Sequence, residues 1–176
     1  MIERSTMTSR IVSPVFSREI DSGLRVSEAC VISTDTPISE ALDQAGANPS
    51  TRVVCVVDRQ GHLTGLIGLD VLLKCFLVQM SPESLITAGL DPNRVARIAR
   101  LITARTASDL MEPPISLSSE RSESHLAALK EMTLRGLLAL PLVDGHGKVL
   151  GQVDAVHLIR FCSERANRAA SRTKKH

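Results

Sequence analysis

The chain has 176 residues, of which 43% are hydrophobic, 23% charged and 2% aromatic, with a net charge of +2. That length holds one ordinary domain or two small ones sharing a core, and the balance is that of a folded protein rather than a disordered or fibrous one. Without Trp or Tyr there are no stacking platforms for single-stranded nucleic acid, and no stretch reaches the roughly 18 to 20 apolar residues of a membrane span. The polar start, Met1 to Arg10, is unlike a signal segment, and the expected location is the cytoplasm. Cys30, Cys55, Cys75 and Cys162 show no CxxC spacing and read as small buried hydrophobes, with no metal site expected.

In chain order, a polar extension over residues 1–25 leads to a strand from Ala29 to Ser33. Thr36 then offers an N-cap with Pro37 in the first turn. Ile38, Ala41, Leu42 and Ala45 follow at helical spacing before Gly46 and Pro49 shorten or break the helix. Val53 to Val57 and Leu63 to Ile67 are two apolar runs joined by a turn, in which Gly61 supplies a positive φ and Asp58 bonds the backbone: a β-hairpin. The period then changes to 3.6, with Leu69, Leu72, Leu73, Phe76, Leu77 and Met80 on one stripe.

An insert from Ser81 to Arg105 follows. Asp91-Pro92 starts a helix there, and Val95, Ile98, Ala99 and Ile102 are its apolar positions. Arg94, Arg97, Arg100 and Arg105 decorate this connector as a solvated face, the alternative being an anion or partner surface. A second series begins with a strand from Ile115 to Leu117 and a helix capped by Ser122 and carrying Leu126, Leu129 and Met132. It continues through the runs Ala139 to Val143 and Val149 to Val153, with Asp144 and Gly147 in the turn. A helix with Ala155, Leu158, Ile159, Cys162, Ser163 and Ala166 ends it. The last residues, 164–176, hold five basic side chains against Glu164 and read as a solvated helix end.

Residues 53–77 align without gaps on 139–163, at an offset of 86, so the chain is an internal repeat. Each unit is strand, helix, strand, strand, helix: an α/β fold of α+β type in which two pseudo-symmetric three-stranded sheets, each covered by helices, pack sheet to sheet. One unit alone would be under-buried, which explains the pairing. The expected divisions are 1–25, 26–80, 81–105, 106–163 and 164–176.

Leu140-Pro141-Leu142-Val143-Asp144, Gly147 and Gly151-Gln152-Val153 resemble the Leu-Pro-Val-Val-Asp strand, glycine turn and Gly-Ile-Val strand of cystathionine-beta-synthase (CBS) domains. Ala107-Ser108-Asp109-Leu110-Met111 is similar to their Asp-Ile-Met entry. The resemblance covers about residues 26–163 and implies a Bateman module, a CBS pair with two clefts for AMP, ADP, ATP or S-adenosylmethionine as regulatory ligand. It carries the adenine-lining strand over to Arg52, Val53, Val54 and Cys55 and to Leu138, Ala139, Leu140 and Pro141, with Val31 and Ile115 as further contacts. The family's Gly-h-h-Thr/Ser-x-x-Asp element places a hydroxyl near phosphate or ribose and an acid on the ribose. Here the hydroxyl positions hold Gly68 and Asp154, and the acid positions hold Val71 and His157, with Asp70 one residue early. Asp154 reads equally as a ligand group or as a helix N-cap, and beside a phosphate it would be repulsive without a neighbouring cation or a protonated His157.

No Ser-His-Asp spacing, P-loop, dinucleotide fingerprint or HExxH is present, so no catalytic residue is expected. The expected function is adenosine-ligand sensing without a required cofactor, with occupancy passed to a separate effector protein. The resemblance further implies a homodimer built on the Leu69–Met80 and Ala155–Ala166 helices. Nucleic acid and membrane are not expected partners. The alternative is a ligand-free CBS scaffold used for dimerisation or docking.

Overall fold

A computed structural model describes residues 25–80, 92–119 and 125–173. Its first half runs β1 (Cys30–Ser33), α1 (Ile38–Ala47), β2 (Val53–Val57), β3 (Leu63–Gly68) and α2 (Leu69–Met80). Helices α3 (Pro92–Thr103) and α4 (Ala107–Leu110) connect it to β4 (Leu117–Ser118), α5 (His125–Arg135), β5 (Ala139–Val143), β6 (Val149–Asp154) and α6 (Ala155–Thr173). Two sheets result, ordered β1-β2-β3 and β4-β5-β6, each with one parallel and one antiparallel pair. From β2 to the start of α2 every boundary recurs 86 residues later, and both hairpins shift register at matching places, Val56/Val57 and Leu142/Val143.

Turn chemistry fixes both hairpins. Gly61 and Gly147 adopt φ of 86° and 80°, where a Cβ would be strained. Asp58 accepts the N–H groups of Gln60 and His62, and Asp144 those of His146 and Lys148, all at 2.9 Å. The backbone bond from His62 chiefly holds the Asp58 carboxyl below its ordinary value, and that from Lys148 does so at Asp144. A depressed folded value means stability that is full above the unfolded pKa near 4 and lost as pH falls through the lower folded value.

The sheets face each other. Val53, Cys55 and Leu66 leave the first repeat's cluster and pack with Leu140, Leu142, Val153 and Leu158 of the second, while Val54, Val56 and Ile67 face their own helices. Burial alone raises the Cys30 thiol to about 11 and, with Cys30 as a second cause, Cys55 to about 12. Both act as neutral core groups.

The segment entering each repeat crosses to the other sheet. Ser27 exchanges two backbone bonds with Gln152, at 2.9 and 2.8 Å, and Glu112 exchanges two with Leu66, at 2.8 and 3.0 Å. The crossing explains a glycine in each repeat. A Cβ on Gly65 would lie 2.6 Å from Met111 Sδ, and one on Gly151 would lie 2.6 Å from the Ser27 carbonyl oxygen. The glycines at equal offset are therefore close-approach positions.

Several expectations change. Thr36 is not the cap of α1. Its hydroxyl points back to accept the Ser33 N–H at 3.0 Å, Pro37 is the capping residue, and Ile38 donates instead to the Arg105 carbonyl at 3.1 Å. A neighbouring backbone has replaced the side-chain cap. Helix α1 passes through Gly46 and is nearly as long as α5, 10 residues against 11. The stripe on α2 is also displaced: Leu72, Cys75 and Val78 are buried, whereas Leu73, Phe76, Leu77 and Met80 are exposed. This helix is apolar on nearly every side, so periodicity alone did not select its inner face. On α3 Leu101 is buried, as is Ala104 just past its end, with Ala99 and Ile102 exposed. Arg100 is exposed and also donates to the carbonyls of Asp109 and Met111 at 2.8 and 3.3 Å, so this solvated charge doubles as a structural clamp. Ser122 and the side chains of Arg94, Val95, Arg97 and Ile98 lie outside the described residues.

The β4 strand is Leu117–Ser118, not Ile115 to Leu117. Gln152 turns its backbone groups outward to Ser27, so the opposite residue, Pro141, turns its own toward β4. Pro141 has no N–H to give, and pairing with β4 starts only at Leu142. Cys55, at the equivalent place, pairs with β1 in a four-residue strand.

Two predictions follow from this packing. Gly151→Ala destabilises by about 1–3 kcal/mol because the Ser27 backbone cannot give way, while Gly46→Ala, with nothing within 4 Å of its Cβ position, stabilises by about 0.5–1 kcal/mol; urea midpoints measure both. In the second, Asp58→Asn with Asp144→Asn flattens the fall of the midpoint as the pH drops below about 4.

Candidate functional site

The exchange of entry segments builds two related junctions, each drawing on both repeats. At one, the entry segment and the lead-in to β2 (Glu28, Ser50, Thr51, Arg52) meet the end of β6 and the start of α6 (Gln152, Asp154, His157). At the other, the lead-in to β5 (Leu137, Leu138) meets the end of β3 and the start of α2 (Leu66, Gly68, Asp70, Val71), a Leu137 methyl lying 3.7 Å from the Cβ position of Gly68. The resemblance implied two clefts between the repeats without pairing these residues; the structure pairs Arg52 with Asp154 and brings Gly68 to Leu137.

The Asp154 junction is polar. Asp154 Oδ1 accepts the Val156 N–H at 2.8 Å, so the carboxylate caps α6. Its Oδ2 faces Arg52 Nε at 3.8 Å, an ion pair beyond hydrogen-bond length, and both side chains are partly exposed. Arg52 Nη1 donates to the carbonyls of Pro49 and Thr51 at 2.9 and 3.0 Å. Asn48 Oδ1 accepts the Ser50 N–H at 2.9 Å, setting the turn that carries this loop. Gln152 is 1% exposed, and its Nε2 donates to Glu28 O at 2.9 Å and Ser50 O at 2.8 Å. Its Oε1 and the Thr51 hydroxyl are buried without a hydrogen-bond partner among the described residues. His157 is half-buried in the first turn of α6.

The Gly68 junction is its apolar counterpart. Leu66, Gly68, Val71 and Leu138 stand where Gln152, Asp154, His157 and Arg52 stand in the other, at the 86-residue offset. Asp70 reaches back over Gly68, its Oδ1 lying 2.7 Å from the Cβ position, while its Oδ2 accepts Lys74 Nζ at 2.8 Å. Its acid thus partly fills the space a side chain at 68 would take.

Val53, Val54, Cys55, Ala139 and Leu140 are fully buried, and Pro141 nearly so; these side chains belong to the core. Val31 is 42% exposed on β1 and Leu138 is 54% exposed. Ile115 is half-buried against the second cluster. Glu28, Ser50, Thr51 and Gln152 were missed by the sequence reading. The visible signal was Gln152, a carboxamide where the other repeat has Leu66 and the family pattern has an aliphatic residue.

Residues 22–77 match the family model of the CBS domain. Among solved structures, a CBS domain-containing protein from Thermotoga maritima is 26% identical, with a TM-score of 0.56 over 75% of this chain and 83% of its own. CBSX2 in complex with AMP is 20% identical, with a TM-score of 0.50, and the alignment covers 77% and 88% of the two chains. The cytosolic domain of the Mg2+ channel MgtE in complex with ATP is 18% identical at the same TM-score, covering 77% of this chain and 46% of that one. A comparison with curated proteins finds no match. The matched first repeat, a second repeat of equal topology and this likeness to CBS-domain structures are consistent with a tandem CBS-domain pair. No helix among the described residues is long and apolar enough to cross a membrane.

Cap and charge at Asp154 are separable. Asp154→Ala costs about 0.5–2 kcal/mol through the lost cap, whereas Asp154→Asn keeps an acceptor and loses only a partly exposed ion pair worth about 0–1 kcal/mol; chemical denaturation of both variants measures the difference.

Proposed function

We propose that this CBS pair is a regulatory module that binds an adenosine-containing ligand at the Asp154 junction and passes occupancy to a separate effector protein. The observation that carries the reading is the buried, unpaired polar pair, Gln152 Oε1 and Thr51 Oγ1, beside the Arg52–Asp154 ion pair. Buried polar atoms cost stability unless something bonds them, and a ligand edge bearing donors and acceptors does so. The AMP complex of CBSX2 and the ATP complex of MgtE support a nucleotide of this class. The role is binding rather than catalysis, because the Thr51 hydroxyl has no base hydrogen-bonded to it among the described residues. Four free thiols agree with a cytoplasmic setting.

A second reading, a dimerisation scaffold, is favoured by the outer face of α2, where Leu73, Phe76, Leu77 and Met80 are 46–69% exposed, and by Val156 and Ile159 on α6 at 71% and 56%. Such faces mark interfaces. The two readings combine in a homodimer whose ligand state is read by the effector.

A thermal-shift screen of AMP, ADP, ATP, S-adenosylmethionine and NAD tests the reading. At least one adenosine ligand at 100 times its Kd stabilises by about 2.7 kcal/mol. No shift with any of them leaves the scaffold, whose own signature is a dimer by sedimentation that Phe76→Glu with Leu77→Glu turns into a monomer.

A further inference from the structure

Each repeat is entered through a crossing, and the element that leads into the second crossing completes the core of the first repeat. Before Glu112 come α3 and α4. Leu101, Ala104, Ala107 and Leu110 are buried in one cluster with Leu72, Cys75 and Val78 of α2, and the Cys75 thiol donates to the Leu101 carbonyl at 3.6 Å. Before Ser27 the described chain holds only Arg25 and Val26, and 24 residues precede them in the sequence.

The two crossings are counterparts at an offset of 85. Glu112 bonds Leu66 as Ser27 bonds Gln152, and Met111 and Val26 stand against the Cβ positions of Gly65 and Gly151. The same offset sets Pro92–Thr103 against residues 7–18, and Leu101 against Phe16. Chain direction agrees, because Ser27 is antiparallel to Gln152, and the chain traced back from it heads toward Asp154 and the start of α6. On α6 the counterparts of Cys75 and Val78, at the offset of 86, are Phe161 and Glu164. The Phe161 ring lies 4.6 Å from that of His125, and Glu164 turns its carboxylate to Arg160 at 3.0 Å. Residues 11–20 carry Ile11, Val12, Val15, Phe16 and Ile20, an apolar group within a polar extension. Pro14 stands at the place of Ala99, so the apolar contact is carried over and a straight copy of α3 is not.

We propose that residues 11–20 dock on α6 of the same chain, with Phe16 against its Phe161–Glu164 side, and give the second repeat the layer that α3 gives the first. Docking removes that apolar group from water. The outer face of α6, Val156 and Ile159, stays free of this segment, as Leu73 on α2 stays exposed beside α3. Self-docking and the pairing of two copies therefore use different sides of the helix.

Disulfide trapping in the full chain tests this, with Cys162→Ser removing the one cysteine that is not buried. At low protein concentration, Phe16→Cys with Glu164→Cys is expected to close an intramolecular disulfide at least tenfold faster than Phe16→Cys with Ile159→Cys. Equal rates, a faster Ile159 pair or a disulfide between chains overturns the inference, the last in favour of a second copy as the occupant. Hydrogen exchange gives a reading that needs no added cysteine. Phe16→Ser is expected to speed exchange of the α6 amides around Phe161 at least tenfold and to leave those of α2 around Cys75 unchanged. Unchanged exchange in α6, or equal acceleration in both helices, overturns it.

Discussion

Everything in this molecule depends on the exchange of entry segments between its two sheets. Ser27 completes the outer edge of β6, and Glu112 completes that of β3, each through a reciprocal pair of backbone hydrogen bonds. An edge strand left open would present unpaired donors and acceptors to solvent or to other chains. Closing it from the other repeat covers the edge locally and ties the repeats together. Close contact at these places requires Gly65 and Gly151, because a side chain there would occupy space already taken by Met111 or by the Ser27 backbone. The apolar sheet faces then meet, with Val53 and Cys55 buried among residues of the second repeat.

The same exchange creates the two junctions between the repeats. The entry segment of one repeat and the lead-in to its central strand are carried to the end of the other repeat's hairpin, so neither repeat owns a site. Duplication supplies the shared backbone plan, and substitution at matched positions then distinguishes the two sites. Gln152 against Leu66, Asp154 against Gly68, His157 against Val71 and Arg52 against Leu138 make one junction polar and the other apolar. A ligand bound at the polar junction, as proposed, would touch both repeats, and its binding free energy would be felt by the whole pair.

Much of the architecture was legible because it rests on local rules repeated twice. The Asp and Gly turns, the alternation of two apolar runs and the change of period announced both hairpins and the helices after them, and the structure keeps their offset of 86. What stayed hidden was decided by non-local contacts. The cap of α1 comes from Arg105, nearly seventy residues away in sequence. The inner face of α2 was ambiguous because Leu73, Phe76 and Leu77 are as apolar as Leu72, Cys75 and Val78. The short β4 follows from Pro141 on the neighbouring strand. At the site, Asp154 and Arg52 were recognisable as candidates but not as partners, since their pairing depends on the crossing of chains. Gln152 was overlooked because the pattern at that strand position is apolar.

The two repeats form one folding unit joined by the crossed segments, and native-state hydrogen exchange tests this most directly. The amides of Leu66, Glu112 and Gln152, one or more in each crossed pair, are expected to exchange with the same free energy as global unfolding and the same dependence on denaturant. Exchange of either crossed pair through a separate, lower-energy opening, with the other repeat's sheet still protected, would contradict it.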